Sequence, residues 1–599
     1  MAPKEDSIIV DYFTITKEYQ QKYGEKVILL MQVGAFFEVY GLKHPKNGNH
    51  EVTQIDAFSE MCDLVIAEKS FHLGNHSVAS TTIFPPYPQF TKDTPSATMT
   101  KAIHKWLGEI PLSKVVMAGH SIIKLDAYVQ KITDAGYTAV VYVQEKDDQD
   151  RVIQRKLYNV YSPGTFMGND TDTTNRLTNH ITCIWLEKFN TQLSCSASVS
   201  SEATIRETLV CGISNINIFT GESTLFEYQT PYYMNPTTFD ELERNISTFS
   251  PSEVVIISEF PDDMISTIVK YAGISSQTTI HVLRISTGSK DMIVTERIQK
   301  AINCTKQKYI HQVLSTFFGA EVFDICTEFC TNILATQSFC YLLNFIQEHN
   351  SDLVRNIHLP RFSNISKRMV LANHTLKQLN ILYDDSNDSK SARNLASVST
   401  FLNRCCTSMG KRKFQYQLTN PVFDTDWLNQ EYTIMDYLQN EFDQTKLVDL
   451  RKQLRSMKDV EKICRQLVTK RLVPSSLAHL YNTIYELYLL HTQELSSHPT
   501  LYNYLIPSST VPIQEISGQC PRQTSFAPDT VLPGSHTGTE GPLMEARLIP
   551  HSSKMMGDQG VTQDYRAKPV RLGLQTMFGR ISNIPENDVG VCMNICLYH

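Results

Sequence analysis

The chain has 599 residues, too many for one hydrophobic core, so three or more domains are expected. Hydrophobic residues make up 41% and charged residues 20%, the balance of a soluble globular protein, and no apolar run approaches the roughly 18 residues of a membrane span. A formal net charge of -7 excludes a general electrostatic pull toward nucleic acid, so any DNA contact must come from local patches.

The start, Met1-Ala-Pro-Lys-Glu-Asp-Ser7, lacks the basic-then-apolar order of a secretory signal and is too acidic for a transit peptide. An intracellular address is expected, with cytoplasm, nucleus and organelle undistinguished. From Ser7 to Tyr23 the residues Ile8, Tyr12, Ile15 and Tyr19 recur at helical spacing, and Gly24 stands where a C-terminal cap belongs. Val27 to Val33 then reads as an apolar strand running into a turn marked by Gly34. Past the turn, Phe36 and Glu38 share one side of an extended backbone. An aromatic at such a tip can wedge into a weakened base step, and a carboxylate beside it can meet a base edge. Taken in isolation, the pair is better read as a core aromatic, Phe36, and a solvated charge, Glu38.

Leu125, Tyr128, Val129 and Ile132 form a second helical stripe closed by Gly136, followed by the strand-like Tyr137 to Val143. Residues 1–150 are expected to form a compact α/β domain that ends at an acidic run. Residues 151–290 alternate strand-like runs (Ile181 to Leu186, Leu209 to Phe219, Val254 to Ile257, Ile280 to Leu283) with amphipathic helices, which predicts an open mixed sheet covered by helices. One of those helices carries the capping-box pattern Thr238-Phe-Asp-Glu241 ahead of the apolar set Phe239, Leu242 and Ile246. Over residues 291–507 strand signals stop and helical stripes take over, with Leu395, Val398, Leu402 and Cys405 on one face and Val460, Ile463, Cys464 and Leu467 on another. Asp384 to Lys390 reads as an exposed turn. Residues 508–599 crowd Pro, Gly, Ser and Thr without periodic apolar pattern, and a disordered tail is expected there. No internal repeat of fixed period is present.

Several strings match one family in order. Gly34-Ala35-Phe36-Phe37-Glu38 resembles the mismatch-reading motif of the MutS family of DNA mismatch-repair proteins, and Met117-Ala118-Gly119 through Val143 resembles the end of its mismatch-binding domain. Tyr161-Ser-Pro-Gly-Thr165 and Cys211 to Gly221 resemble connector segments. Leu371 to Leu376 with Leu379, Phe401 to Arg412, Asn420-Pro-Val422 and Lys458 to Lys462 resemble the lever. The resemblance spans roughly the first 490 residues and is nearest to the divergent branch of large DNA viruses and octocoral mitochondria. It implies α/β mismatch-binding (1–150) and ribonuclease-H-like connector (151–290) domains, then the first part of an all-α lever (291–507). It also implies that Phe36 stacks on a mispaired base and Glu38 hydrogen-bonds it. Ala35 and Phe37 stand where the family commonly has Asp and Tyr, so the loop's own hydrogen bonding need not follow the family's.

The basic stretch Arg451, Lys452, Arg455, Lys458, Lys462, Arg465, Lys470 and Arg471 has two readings. It is a solvated helix face partly neutralised by Asp459 and Glu461, or a phosphate-binding face with Lys458, Lys462 and Arg465 as candidate backbone contacts. The same choice stands for Lys411-Arg412-Lys413. The 14 cysteines show no repeated Cys-x-x-Cys pattern and read as reduced core residues. Neither Cys326 with Cys330 nor Cys592, Cys596 and His599 offers four metal ligands, and no acidic set marks a two-metal nuclease. The family's phosphate loop, Gly-x-x-x-x-Gly-Lys-Ser/Thr, has only a failed imitation: Cys405 stands where the first glycine of Gly410-Lys411 belongs and Arg412 holds the hydroxyl position.

The expectation is a MutS-like reader of mismatched double-stranded DNA. It is expected to have no catalytic residues and no bound cofactor of its own; ATP and Mg would belong to the intact family. No membrane role is expected, and a dimer partner or a separate ATPase-bearing chain is expected. The alternative is a split-gene or degenerate fragment acting only as a protein-interaction module.

Overall fold

The computed structural model describes residues 5–75, 88, 96–146, 152–168, 176–192, 205–285, 296–362, 371, 373–382, 397–490, 492 and 497–505. The chain divides into two units, one running to Thr483 and one beginning at Ile484.

The first part of the larger unit is a seven-stranded mixed sheet between helices. Its elements are α1 (Glu5–Tyr23), β1 (Val27–Val33), β2 (Phe36–Lys43), β3 (His50–Glu51), α2 (Ile55–Cys62), β4 (Ala67–Leu73) and α3 (Ser96–Glu109). They continue with β5 (Ser113–Ser121), a 3-10 turn (Ile122–Lys124), α4 (Leu125–Asp134), β6 (Thr138–Lys146) and β7 (Val152–Tyr161). Strand order is β4-β5-β2-β1-β6-β7, with β3 beside β2. Side-chain alternation along β2 splits the core between the two faces. Tyr40 meets Tyr12 of α1 edge-on at 5.1 Å, whereas Phe37 and Val39 face the opposite side with Gly41, which lies against Ile55 of α2. Helix α1 and its cap at Gly24, whose N–H reaches Gln20 O at 2.8 Å, form as the spacing predicts.

The first sheet does not stop near Asp150. Strand β7 pairs antiparallel with β6 from Lys146↔Val152 to Ala139↔Tyr161, so the acidic run separates two paired strands rather than two domains. Runs 147–151 and 383–396, with the Asp384 turn and Leu395, and the tail from 508 lie outside the described residues.

A second sheet follows, built from β8 (His180–Gln192), β9 (Ile205–Asn217), β10 (Ser223–Pro231), α5 (Asp240–Phe249), β11 (Glu253–Ser258), α6 (Asp262–Tyr271) and β12 (Thr279–Arg284). Strands β8, β9 and β10 form an antiparallel meander, and β11 and β12 add in parallel beside β8. Both faces are buried, which is why these strands read as continuous apolar runs. Ile184, Leu186, Val254 and Ile256 join the core under α5 and α6. Cys183, Trp185, Val255 and Ile257 join the core on the other face.

That other face is covered by helices expected to belong to the lever: α7 (Glu296–Cys304), α8 (Gln307–Phe318), α9 (Val322–Ile325), α10 (Glu328–Thr331) and α11 (Ile333–His349). Helix α11 is buried nearly all round and lies against β8 and β9, as expected of a helix apolar on every side. A two-residue strand, β13 (Arg361–Phe362), then pairs parallel with β10. The second domain therefore extends past residue 290, because its sheet needs those helices to bury its second face. The capping box expected at Thr238 is also corrected. Asn235 caps a 3-10 turn by accepting from Thr238 N, and α5 starts without a side-chain cap.

The remaining helices of the larger unit are α12 (Asn373–Gln378), α13 (Val398–Leu402), α14 (Ser408–Thr419), α15 (Thr425–Asn440), α16 (Gln444–Ser456), α17 (Val460–Val468) and the first part of α18 (Pro474–Leu489). On α17, Val460 and Ile463 are buried while Leu467 is exposed. The described residues of the second unit comprise the end of α18 and α19 (Pro499–Leu505), with Leu487, Leu501 and Leu505 buried.

Candidate nucleic-acid interface

The β1–β2 hairpin closes through two residues, Gly34 and Ala35, between the pair Val33↔Phe36. Gly34 has φ +59, a left-handed value at the first central position that a side chain would strain, as two-residue hairpins with Gly there require. Gln32 braces the tip. Its amide Nε2 donates to Gly34 O at 3.2 Å, its Oε1 accepts from Gln144 N at 2.9 Å, and its carbonyl accepts from Arg155 Nε at 3.1 Å. From the other side, Ile122 N donates to Ala35 O at 3.1 Å, which fixes the 3-10 turn after β5 beside the hairpin.

This frame presents an apolar tip. Phe36 is 52% exposed, and Ile122 and Ile123 of the neighbouring turn are also exposed, Ile123 at 86%. Phe37, one residue on, is 1% exposed in the core. The structure thus places Phe36 at the tip and Glu38 two residues behind it on the same side of β2.

Glu38 is only 7% exposed. It is paired with Met31 of β1 and Gly119 of β5 across the sheet. A Cβ at Gly119 would lie 2.7 Å from Phe37 O and 3.3 Å from Glu38 Cγ, so the carboxylate's stem rests on bare backbone. Its Oε2 accepts hydrogen bonds from the Tyr40 hydroxyl and, at 3.2 Å, from Lys69 Nζ. Of these partners, Tyr40 was accessible from sequence through the period-2 alternation of β2. Lys69 was not, because it lies 31 residues away on β4.

Two of the three candidate basic contacts, Lys462 and Arg465, are buried. Arg465 on α17 is buried and donates to the carbonyls of Leu353, Arg355 and Asn356. Burial brings its guanidinium down to about 10. Lys462 is buried with its ammonium 4.8 Å from the centre of the Phe219 ring. Lys458 is half-buried at the start of α17, and its N–H meets Thr483 Oγ1 at 3.2 Å. Buried cations held by carbonyls and a ring are internal fastenings, so the phosphate-contact expectation for Lys462 and Arg465 gives way to a structural role. Of the same stretch, Lys452, Arg455 and Lys470 are the exposed residues.

The Gly410-Lys411 string lies inside α14, where Thr407 caps Gly410 N at 3.0 Å. These amides serve a helix, not a phosphate cradle. Cys326 is buried and Cys330 exposed; Cys592, Cys596 and His599 lie outside the described residues. Among the described residues no three His, Cys, Asp or Glu side chains group as metal ligands, and no helix is long and apolar enough to cross a membrane.

The described residues thus run from a mixed α/β N-terminal region with a braced apolar tip through a second sheet to a series of helices. Two family models match in that order: MutS domain I over residues 88–170 and MutS domain III over residues 374–512. Over these two ranges the chain is similar to the MutS family of DNA mismatch-repair proteins. The range matched by domain I begins after the β1–β2 hairpin.

Similar curated proteins include a DNA mismatch repair protein mutS homolog of Acanthamoeba polyphaga mimivirus, 22% identical over 500 residues, covering 80% of this chain and 38% of the relative. Another is the mitochondrial DNA mismatch repair protein mutS homolog of Sarcophyton glaucum, 22% identical over 508 residues and covering 80% and 45%. A third is the DNA mismatch repair protein MutS of Dehalococcoides mccartyi strain CBDB1, 20% identical over 496 residues and covering 80% and 49%. The chain spans half or less of the length of these relatives.

Proposed function

We propose that this chain reads mismatched double-stranded DNA in mismatch repair, with Phe36 as the wedge and Glu38 as the acceptor. The observation that carries this reading is the split fate of adjacent phenylalanines: Phe37 is core while Phe36 is held out at a braced tip. An aromatic inserted at a base step costs a few kcal/mol of unstacking, and less where a mispair has already weakened the stack. A wedge blind to sequence therefore discriminates by deformability. Glu38 adds an acceptor on the same side of the strand, and Ile122 and Ile123 extend the apolar surface next to the wedge.

In this reading residues of the second sheet act as a ribonuclease-H-like connector, which the order β10-β9-β8-β11-β12 supports, and the helices beyond it act as part of a lever. No ATP-dependent step is assigned to these residues. ATP and Mg chemistry, and a dimer partner, would come from other sequence or another chain. Titration of the protein with a duplex carrying one G·T mispair, and with its fully paired counterpart, tests the reading. Tighter binding of the mispaired duplex, lost in Phe36→Ala, is expected. Equal affinity for both, unaltered by the substitution, would leave the interaction-module alternative in its place.

A further inference from the structure

A carboxylate brought against DNA faces two penalties. It loses water as the interface closes, and it stands in the negative field of the phosphates. Glu38 meets both conditions if it reads a base, so what neutralises and orients it decides whether it can work.

Two donors converge on one of its oxygens. The Tyr40 hydroxyl and the Lys69 ammonium both approach Oε2, Lys69 at 3.2 Å. Lys69 also lies 5.2 Å from the centre of the Tyr40 ring, so the three side chains form one unit. Tyr40 is locked edge-on to Tyr12 of α1, and Gly119 supplies the floor under the carboxylate's stem. Lys69 reaches the site from the irregular stretch of β4, where pairing with β5 shifts register between Glu68 and His72. Such an irregularity re-aims a side chain relative to a regular strand.

We infer that Lys69 is the positioning residue of the base-reading carboxylate. With Tyr40 it draws Oε2 inward, turns Oε1 toward the duplex, and balances the charge that would otherwise oppose docking. The inference rests on the reading of Phe36 and Glu38 given above. Its chemistry is preorganisation: a carboxylate with one oxygen already engaged loses less freedom when the other accepts a hydrogen bond.

The test uses the full chain, the mispaired and paired duplexes, and a salt series. Lys69→Met is expected to lower the ratio of mispaired to paired affinity about tenfold, the size of a charge-assisted hydrogen bond. Lys69→Arg should keep most of the ratio, and Tyr40→Phe should lose part of it. The slope of affinity against salt should not change in any of them.

Two outcomes overturn the inference. One is a ratio untouched by Lys69→Met. The other is an equal loss on both duplexes with the salt slope falling by about one, which would make Lys69 a phosphate contact. If Lys69→Met does not fold, Lys69→Gln and Tyr40→Phe carry the same comparison. Loss of preference in Phe36→Ala and Glu38→Ala but not in Lys69→Met sinks this inference alone; absence of preference in the unsubstituted protein sinks the mismatch reading itself.

Discussion

Arg412 of α14 closes a bidentate ion pair on Asp459, the residue that caps α17, with Nη1 2.6 Å from Oδ2 and Nη2 2.9 Å from Oδ1. Glu461 accepts a further hydrogen bond from Nη2. Two of the strings that resemble the family, Phe401 to Arg412 and Lys458 to Lys462, thus meet through their charges. Burial works against the guanidinium, but the hydrogen bonds and charges of Asp459 and Glu461 outweigh it and hold the group protonated more firmly than in water.

Removing the guanidinium would leave two carboxylates together with little water. Arg412→Ala is expected to destabilise the fold by roughly 3 kcal/mol or more. Arg412→Lys should recover only part, because an ammonium cannot match the forked geometry. Urea unfolding of the three proteins measures this; a loss below about 0.5 kcal/mol would show the pair to be idle.

The same residues show what the sequence could convey. Period and alternation were enough for α1, the β1–β2 hairpin and strands β8, β9, β11 and β12 of the second sheet, since those patterns are local. They put Phe36 and Glu38 on one side of the strand as well, but left open whether Phe36 is core or exposed. Strand β7 was missed because only its last two side chains are buried and its pairing with β6 defines it. The place of α11 over the second sheet was hidden for a different reason: an apolar stripe names the residues that want burial, not the surface they cover. Lys462 and Arg465 read as surface cations because their burial depends on groups more than 100 residues away, the Phe219 ring for Lys462 and the carbonyls of Arg355 and Asn356 for Arg465, and Lys69 found Glu38 by the same kind of long reach.

The adjacent phenylalanines should separate stability from recognition. Phe37→Ala empties a core position and is expected to cost about 3–5 kcal/mol. Phe36→Ala should change stability by no more than about 0.5 kcal/mol while removing the preference for a mispair. Thermal unfolding beside duplex titration checks both. If Phe36→Ala destabilised as Phe37→Ala does, the tip would be part of the core.

Acid should weaken the fold in two stages. His180 and His349 are buried, and burial brings both down to about 4, with Arg412 adding to the effect at His180. The unfolded chain binds these protons first as pH falls below 6.5, so their contribution is fully present above that pH and is lost toward 4. Each amounts to roughly 3 kcal/mol. Glu253 behaves oppositely in origin: burial would raise it, but the hydrogen bond and charge of His281, then the charge of His349 and the hydrogen bond of Ser162, bring it down to about 2. Its stabilisation is present above 4.5 and disappears as pH falls toward 2. Urea midpoints from pH 8 to 3 should trace both stages, and His349→Phe should flatten the upper one by about half. An unaltered upper stage in that variant would mean other groups control it.

Two glycines should respond to alanine with opposite signs. Gly119 sits opposite Glu38 in the β2–β5 pair, and its new methyl would press on the Phe37 carbonyl at 2.7 Å. That carbonyl is main chain within a central strand and has no rotamer to yield. Either the strands part or Glu38 is pushed off its floor, so Gly119→Ala is expected to cost about 1–3 kcal/mol and to lower mismatch preference. Gly108 lies near the end of α3 with nothing within 4 Å of a methyl. There alanine only narrows the unfolded chain and favours the helix, a gain of up to about 1 kcal/mol. Measured together, the pair separates crowding at the site from the general effect of replacing glycine: a Gly119→Ala protein as stable as Gly108→Ala would mean that β5 can move away from Glu38 freely, and the carboxylate's position would then owe nothing to the bare backbone beneath it.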